Sequence, residues 1–306
     1  MVRFIIRRLV LLVPLLIGAS ILVFLTMRLI PGDPARLALG AEATEDQVEL
    51  MRRQWGLDQP LPVQYVYWIG HALQGDWGRS TISRVPASEE ITNRLPATLR
   101  LAALSVVIAS VLGIGFGLLA AVCHNTWLDR ASMVVALLGI CTPSFWLGLM
   151  LILVFSVRLG WFPSFGQGGL DHLILPSLTL GAAAAALIAR VTRSSLLEVL
   201  GADYLKTARA KGLAEHLVIT RHALKNALIP VLTLLGLELG GLLTGAIVTE
   251  TVFAYPGIGL LLISSIGNRD FPVIQPALLL FAVQFVLVNL VVDVLYAVVD
   301  PRITYA

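Results

Sequence analysis

Leu99–Val122 reads LRLAALSVVIASVLGIGFGLLAAV: twenty-four residues with one charge, Arg100, beside its start. A bilayer core takes about 20 mostly apolar residues per helix, so this stretch spans. Five more runs share its character: Leu9–Ile30, Ala131–Val157, Leu173–Ala189, Ala227–Glu250 and Ala277–Val299. The whole chain of 306 residues is 57% hydrophobic and 13% charged, where a soluble domain has about 45–50% and 25%. Mean hydropathy is +0.86. A soluble fold of this length has too little interior for that much apolar surface. Disorder needs the opposite composition. Two cysteines exclude a disulfide scaffold, and Cys123 and Cys141 fall at different expected depths. The fold class is an all-α polytopic membrane protein with six transmembrane helices.

Orientation follows from Lys and Arg. With the N-terminus cytoplasmic, Arg3, Arg7, Arg8, Arg130, Arg190, Arg193, Lys206, Arg209, Lys211, Arg221, Lys225 and Arg302 all lie inside, and the short outer loops keep only Arg158 and Arg269. Both termini are then cytoplasmic. The sequence pI of about 9.1 reflects these loops, and no nucleic-acid partner is implied. The first run follows a basic start as a signal peptide does, but it is too long and lacks a small-residue cleavage site, so it reads as a retained helix.

Two extramembrane segments remain. The outer one, 31–98, opens on Pro31-Gly32-Asp33-Pro34, which stops the first helix. Thr44-Glu45-Asp46-Gln47 is a capping box, Val48, Met51 and Trp55 follow at helical spacing, and Gly56 ends the run. Pro62 opens a second helix carrying Tyr65, Tyr67 and Trp68, which ends at Gly75-Asp76-Trp77-Gly78. This helical insert reads either as a docking surface for an extracytoplasmic partner or as an aromatic collar at the membrane interface. The inner segment, 190–226, reads as two short helices hinged at Gly212: Tyr204–Lys211 with Asp203 as N-cap, then a helix with Leu217, Arg221, Leu224 and Leu228 on one face. Such a basic, hinged pair suits a protein partner; the alternative is a loop held to anionic lipid. The chain divides into 1–94, first helix plus insert; 95–299, five transmembrane helices with the inner loop at about 190–226; and 300–306, a cytoplasmic tail.

The chemistry of catalysis is missing. No phosphate loop occurs, no His-Glu-x-x-His, and Ser194-Ser195 lacks a nucleophile-elbow frame. His71, His124, His172, His216 and His222 are scattered, giving no metal site. No catalytic residue and no cofactor is assigned to this chain, so energy for transport comes from ions or from another subunit. Inside the membrane, Gly113-x-x-x-Gly117, Gly236-x-x-x-Gly240 and Gly241-x-x-x-Gly245 permit close helix approach, either within the subunit or at an interface. Pro143 and Pro176 predict kinks. Glu238 lies near a midplane, where an ionised acid costs about 2.5–3.5 kcal/mol. It either faces a water-filled path or is protonated and hydrogen-bonded. Thr249 and Glu250, near Tyr255-Pro256-Gly257, are candidates for an outer gate or plain interfacial residues. Asn289 and Asp293 fall in the last run, with a structural role expected of Asp293.

Lys206-Thr207-Ala208-Arg209-Ala210-Lys211-Gly212-Leu213 resembles the cytoplasmic loop of permease subunits of bacterial ABC importers, whose frame is Glu-Ala-Ala, three residues, Gly. Leu197 precedes it and Ile219, Leu224 and Lys225 follow at matching intervals; Lys206 departs from the acidic, Gln or Arg residue usual there. Pro31-Gly32-Asp33-Pro34, Asn226-Ala227-Leu228-Ile229-Pro230, Arg269-Asp270-Phe271-Pro272-Val273-Ile274-Gln275, Asn289–Tyr296 and Asp300-Pro301-Arg302 resemble the dipeptide, oligopeptide, nickel and glutathione branch, first-permease type. The likeness runs the length of the chain. It implies a type I ABC importer permease fold in the bacterial inner membrane, with a periplasmic helical insert after the first helix. It implies a heterodimer with a homologous permease, two cytoplasmic ATPases that hold ATP and Mg, a substrate-binding protein, and a peptide or glutathione substrate. Residues 206–213 would seat on an ATPase and drive alternating access. The rival reading is an ion-coupled secondary transporter, which predicts inverted repeats that this chain lacks.

Overall fold

The computed structural model describes residues 2–29, 33–39 and 43–299. Residues Pro31 and Gly32 of the first turn, and the tail 300–306, lie outside them. The described chain is helical, in the order α1 (Val2–Leu29), α2 (Pro34–Leu39), α3 (Glu45–Gln54), α4 (Leu61–Leu73), α5 (Ala87–Val122), α6 (Trp127–Cys141), α7 (Ser144–Leu151), α8 (Asp171–Leu200), α9 (Asp203–Ala210), α10 (Glu215–Leu217), α11 (Leu224–Val252), α12 (Ile258–Gly267) and α13 (Phe271–Val299). π-helical turns, 152–158 and 218–223, extend α7 and join α10 to α11.

By length and composition, Ala87–Val122, Asp171–Leu200, Glu215–Val252 and Phe271–Val292 each suffice to cross a membrane. Trp127–Cys141 with Ser144–Arg158 makes a fifth span if taken together. Of the six expected runs, five fall on these; the first falls on α1, whose described apolar stretch, Val10–Thr26, is shorter. The third run departs most from expectation. Its two halves are bent by 111°, a break and not a kink. Pro143 is the cause: it forces Thr142 into extended backbone (φ −82°, ψ 123°), which ends α6, and then starts α7 as its N-cap. Pro176 sits in the second turn of α8, and the helix runs on through it.

The chain forms two compact units, Met1–Thr98 with Pro256–Leu290, and Leu99–Tyr255 with Val291–Ala306. Residues 94 and 95, where the sequence parts insert from transmembrane region, lie within α5.

In the first unit α4 packs on one face of α1. Ser20 bonds Tyr65 Oη (2.8 Å), the Phe24 ring meets Tyr65 and Trp68, and Arg28 Nε donates to Gln64 Oε1 (2.9 Å). These α1 residues recur every fourth position, one stripe of a helix. The capping box forms as expected, Thr44 Oγ1 accepting from Gln47 N and Gln47 Oε1 from Thr44 N. Arg36 pairs with Glu45 and holds its carboxyl below the usual carboxylate range, through a hydrogen bond first and charge second. Asp270, 3% exposed, accepts from Ser80 Oγ (2.5 Å), Thr81 N (2.9 Å) and Thr81 Oγ1 (3.1 Å). Arg269-Asp270-Phe271 thus ties the 76–86 loop to the start of α13.

In the second unit α8 is central: 61% of its apolar window is buried, against 28–44% for the other long spans. Its Gly181-Ala182-Ala183-Ala184-Ala185-Ala186 run presents little bulk on any side, so α5, α6 and α7 all approach closely. A Cβ added at Gly113 would meet Ala185 O at 2.7 Å, and one at Gly117 would meet Ala189 O at 2.6 Å. The stripe 113/117 is therefore packing within the subunit.

Candidate coupling loop and translocation pathway

The inner loop is a structured element. Ala202, extended at φ −71° and ψ 144°, is the N-cap of α9, and Asp203 is the first helical residue, not the cap expected of it. Asp203 instead receives Lys206 Nζ at 2.8 Å. Leu205 (0% exposed) and Ala208 (9%) face inward and join Ala121, Leu196, Val218, Ala223 and Ala227 in one apolar cluster. Their i, i+3 spacing puts both on one side of the helix. Lys206, Thr207, Arg209, Ala210, Lys211, Gly212 and Leu213 are exposed. Ala208 is thus small because α9 lies tight against α8 and α11, and Ala210 is the small residue on its exposed side.

The end of α9 is a Schellman motif. Gly212 N donates to Arg209 O (2.9 Å), Leu213 N reaches Ala208 O (3.4 Å), and Gly212 is left-handed at φ +78°. A side chain there would be strained although nothing lies within 4 Å. Arg209 then reaches across the hinge to Glu215, Nε to Oε2 at 3.0 Å and Nη2 to Oε1 at 2.8 Å, a two-pronged pair. Asn226 Nδ2 donates to Tyr204 Oη (2.7 Å), fixing α9 to the root of α11. The element is stapled on both sides of its hinge.

The helix after the hinge buries Val218, Ala223, Ala227 and Val231, each 0% exposed, not the expected face. Leu217 is 39% exposed and Arg221 is exposed. The step from 218 to 223 is five residues, the repeat of the π turn there, whereas the expected face assumed 3.6 throughout.

A second constellation escaped the sequence. Asp129, 3% exposed, receives Arg193 Nε at Oδ1 (2.6 Å) and Arg193 Nη2 at Oδ2 (2.7 Å). Asn125 N (3.1 Å) and His124 Nδ1 (3.2 Å) share Oδ2. The fork clamps α6 to α8 ten residues before α9 begins. Sixty-four residues separate the pair, so no local spacing reveals it; the only signal is an acid in the first turn of a mostly apolar helix, and Arg130 beside it offers a nearer apparent partner.

Of the residues expected on the pathway, Glu238 is half-buried on α11 and has no hydrogen-bond partner among the described residues. Gly236, one turn-half away, abuts Val292 of α13. Thr249 (1% exposed) and Glu250 (0%) are interior, not water-facing, and Tyr255 N donates to Glu250 O at 2.8 Å. The structure does not bring Glu238 together with them. Among the described residues no three His, Cys, Asp or Glu converge as metal ligands.

The family described as "Binding-protein-dependent transport system inner membrane component" matches residues 113–305, and its N-terminal counterpart matches 1–102. The chain belongs to this family. It is 52% identical over 305 residues to the glutathione transport system permease protein GsiC of Escherichia coli K12, covering 100% of both chains, and equally to GsiC of Salmonella choleraesuis SC-B67. Two solved folds align with it: the MetNI methionine ABC transporter in an inward-facing conformation (TM-score 0.58, 22% identity, 69% of this chain and 96% of that one), and an amino acid ABC transporter (0.54, 16%, 68% and 94%). The fold is that of a type I ABC importer permease, in a multi-pass inner membrane protein. The chain is a transport subunit with no ATPase domain of its own, and the ion-coupled reading falls away.

Proposed function

We propose that this permease imports small peptides, glutathione (a modified tripeptide) among them, powered by ATP bound with Mg on two separate cytoplasmic ATPases. The observation carrying the substrate class is the 52% identity, end to end, with a glutathione permease. The chain pairs with a homologous second permease, receives its solute from a binding protein, and keeps both termini in the cytoplasm, where its basic residues concentrate. Residues 206–213 are the contact with an ATPase: an exposed basic face on a helix whose other side is anchored passes force to α8 and α11. Glu238, half-buried and without a partner among the described residues, lines the path or meets the sister permease. A solute shifts the inward–outward equilibrium only by binding the two states unequally.

The test is reconstitution of this chain with its sister permease, ATPases and binding protein in vesicles. Radiolabelled glutathione and dipeptides should accumulate only with ATP. Uptake without ATPase subunits, or strict preference for a non-peptide solute, contradicts the reading.

A further inference from the structure

The first unit contains a cleft of about 490 Å³ apart from α9 and Glu238; Arg28, Tyr67, Trp68, Trp77, Arg79 and Arg84 are among its lining residues. Its depth in the membrane is fixed by α1. Between Arg8 and Arg28 lie nineteen uncharged residues, Leu9–Met27. At 1.5 Å per residue they cover about 28 Å, the thickness of a hydrocarbon core. Arg28 therefore stands at the level of the lipid phosphates at the far end of the span.

Arg28 is held ready there. Its Nε donates to Gln64, which is itself 8% exposed and fixed by bonds from its Nε2 to Leu57 O (3.1 Å) and Gln59 O (2.7 Å). The guanidinium lies 4.8 Å over the Phe24 ring. No carboxylate pairs with it among the described residues. Among the described lining residues the one acid, Asp76, turns to Gly78 N (3.1 Å) and His71 Nδ1 (3.6 Å), so Arg28, Arg79 and Arg84 leave the cleft cationic.

The neighbouring helix is built for lipid. α4 contains no Asp, Glu, Lys or Arg, and it exposes Leu61, Val63, Val66 and Leu73 while packing beside the last turns of α1. α3, EDQVELMRRQ, is charged at half its positions and belongs in water. An uncharged, apolar-faced helix beside a span, next to a cationic aromatic cleft at phosphate depth, is an interfacial device.

We propose that this cleft binds the phosphate of an anionic phospholipid, with Arg28 as the principal donor and the acyl chains lying along the exposed face of α4. A guanidinium gives a phosphate charge-assisted hydrogen bonds, and Trp and Tyr favour this interfacial depth. The site is built by α1, the insert and the first turns of α13 (Phe271, Pro272, Gln275), and it stands whether or not the solute is a peptide.

The protein purified from membranes with its accompanying subunits is titrated with phosphatidylglycerol and followed by native mass spectrometry. Arg28→Gln should weaken retention of one phosphatidylglycerol about tenfold, Arg94→Gln should not, and inorganic phosphate should compete poorly. In a second measurement Val66→Cys, in a background with Cys123 and Cys141 replaced by Ala, carries an environment-sensitive dye in mixed phosphatidylcholine–phosphatidylglycerol vesicles; doxyl-labelled lipid should quench it. Equal retention by Arg28→Gln, equal competition by inorganic phosphate, or an unquenched dye overturns the proposal. So does a variant that keeps its lipid but loses stimulation by the binding protein, which would make the cleft a docking site for an acidic protein surface.

Discussion

Removing the guanidinium of Arg193 strands a carboxylate that is 3% exposed. His124 and one backbone N–H cannot replace a two-pronged cation. Arg193→Ala should therefore cost about 3 kcal/mol, and Asp129→Ala added to it should recover part of that loss, because the stranded charge is gone. Thermal unfolding of the purified complex reads both; a double variant no better than the single one would show that a stranded carboxylate is not what the loss of Arg193 costs, and an Arg193→Ala variant as stable as the parent would show that the pair does not hold α6 to α8. This clamp was illegible in the sequence. Arg193 read there only as one more cytoplasmic cation, and nothing in the spacing singled out Asp129. The charge of Glu238 stood out because its cost in lipid is large, whereas the burial of Thr249 and Glu250 depended on neighbours that only packing supplies.

Helices and their ends were legible where chemistry is local. The box at Thr44, the stop at Gly56 and the hinge at Gly212 each depend on a few adjacent residues, and each forms. Gly212→Ala should strain the left-handed position by about 1 kcal/mol. Basal ATP hydrolysis by the assembled transporter should persist while solute-stimulated uptake falls; unchanged uptake would mean the hinge geometry is not used. Ala208→Trp is a different experiment, since Ala208 faces the core, and it should cost assembly before it costs coupling. Between helices, Gly117→Ala drives a Cβ to 2.6 Å from Ala189 O and should destabilise by about 1–3 kcal/mol, while Gly241→Ala, with nothing within 4 Å, should be neutral or slightly stabilising. Equal melting temperatures for the two would refute the close packing of α5 on α8. Two elements depart from what the sequence predicts. The 111° break at Pro143 looks in sequence like any membrane proline, because neighbouring helices decide whether the chain bends or breaks. The π turn at 218–223 shifts the buried face by one residue, and a 3.6-residue period cannot anticipate it.

At the scale of the molecule, composition alone established a helical membrane protein, since apolar content of 57% leaves no soluble alternative. The loop frame at 206–213 and the segments ordered around it carried the family, which the matches over 1–102 and 113–305 show. The division into two compact units was not legible, because it returns 256–290 to the N-terminal segment through contacts far apart in the chain. The central claim is that α9, anchored through Leu205 and Ala208 and basic outside, receives the motion of an ATPase. The direct measurement places a photo-crosslinking residue at Ala210, on the exposed face, and another at Leu61 on α4 as control. The Ala210 probe should yield an adduct with an ATP-hydrolysing subunit, its yield changing with nucleotide, and the Leu61 probe none. ATP-dependent uptake by a complex in which position 210 never captures that subunit would contradict the account.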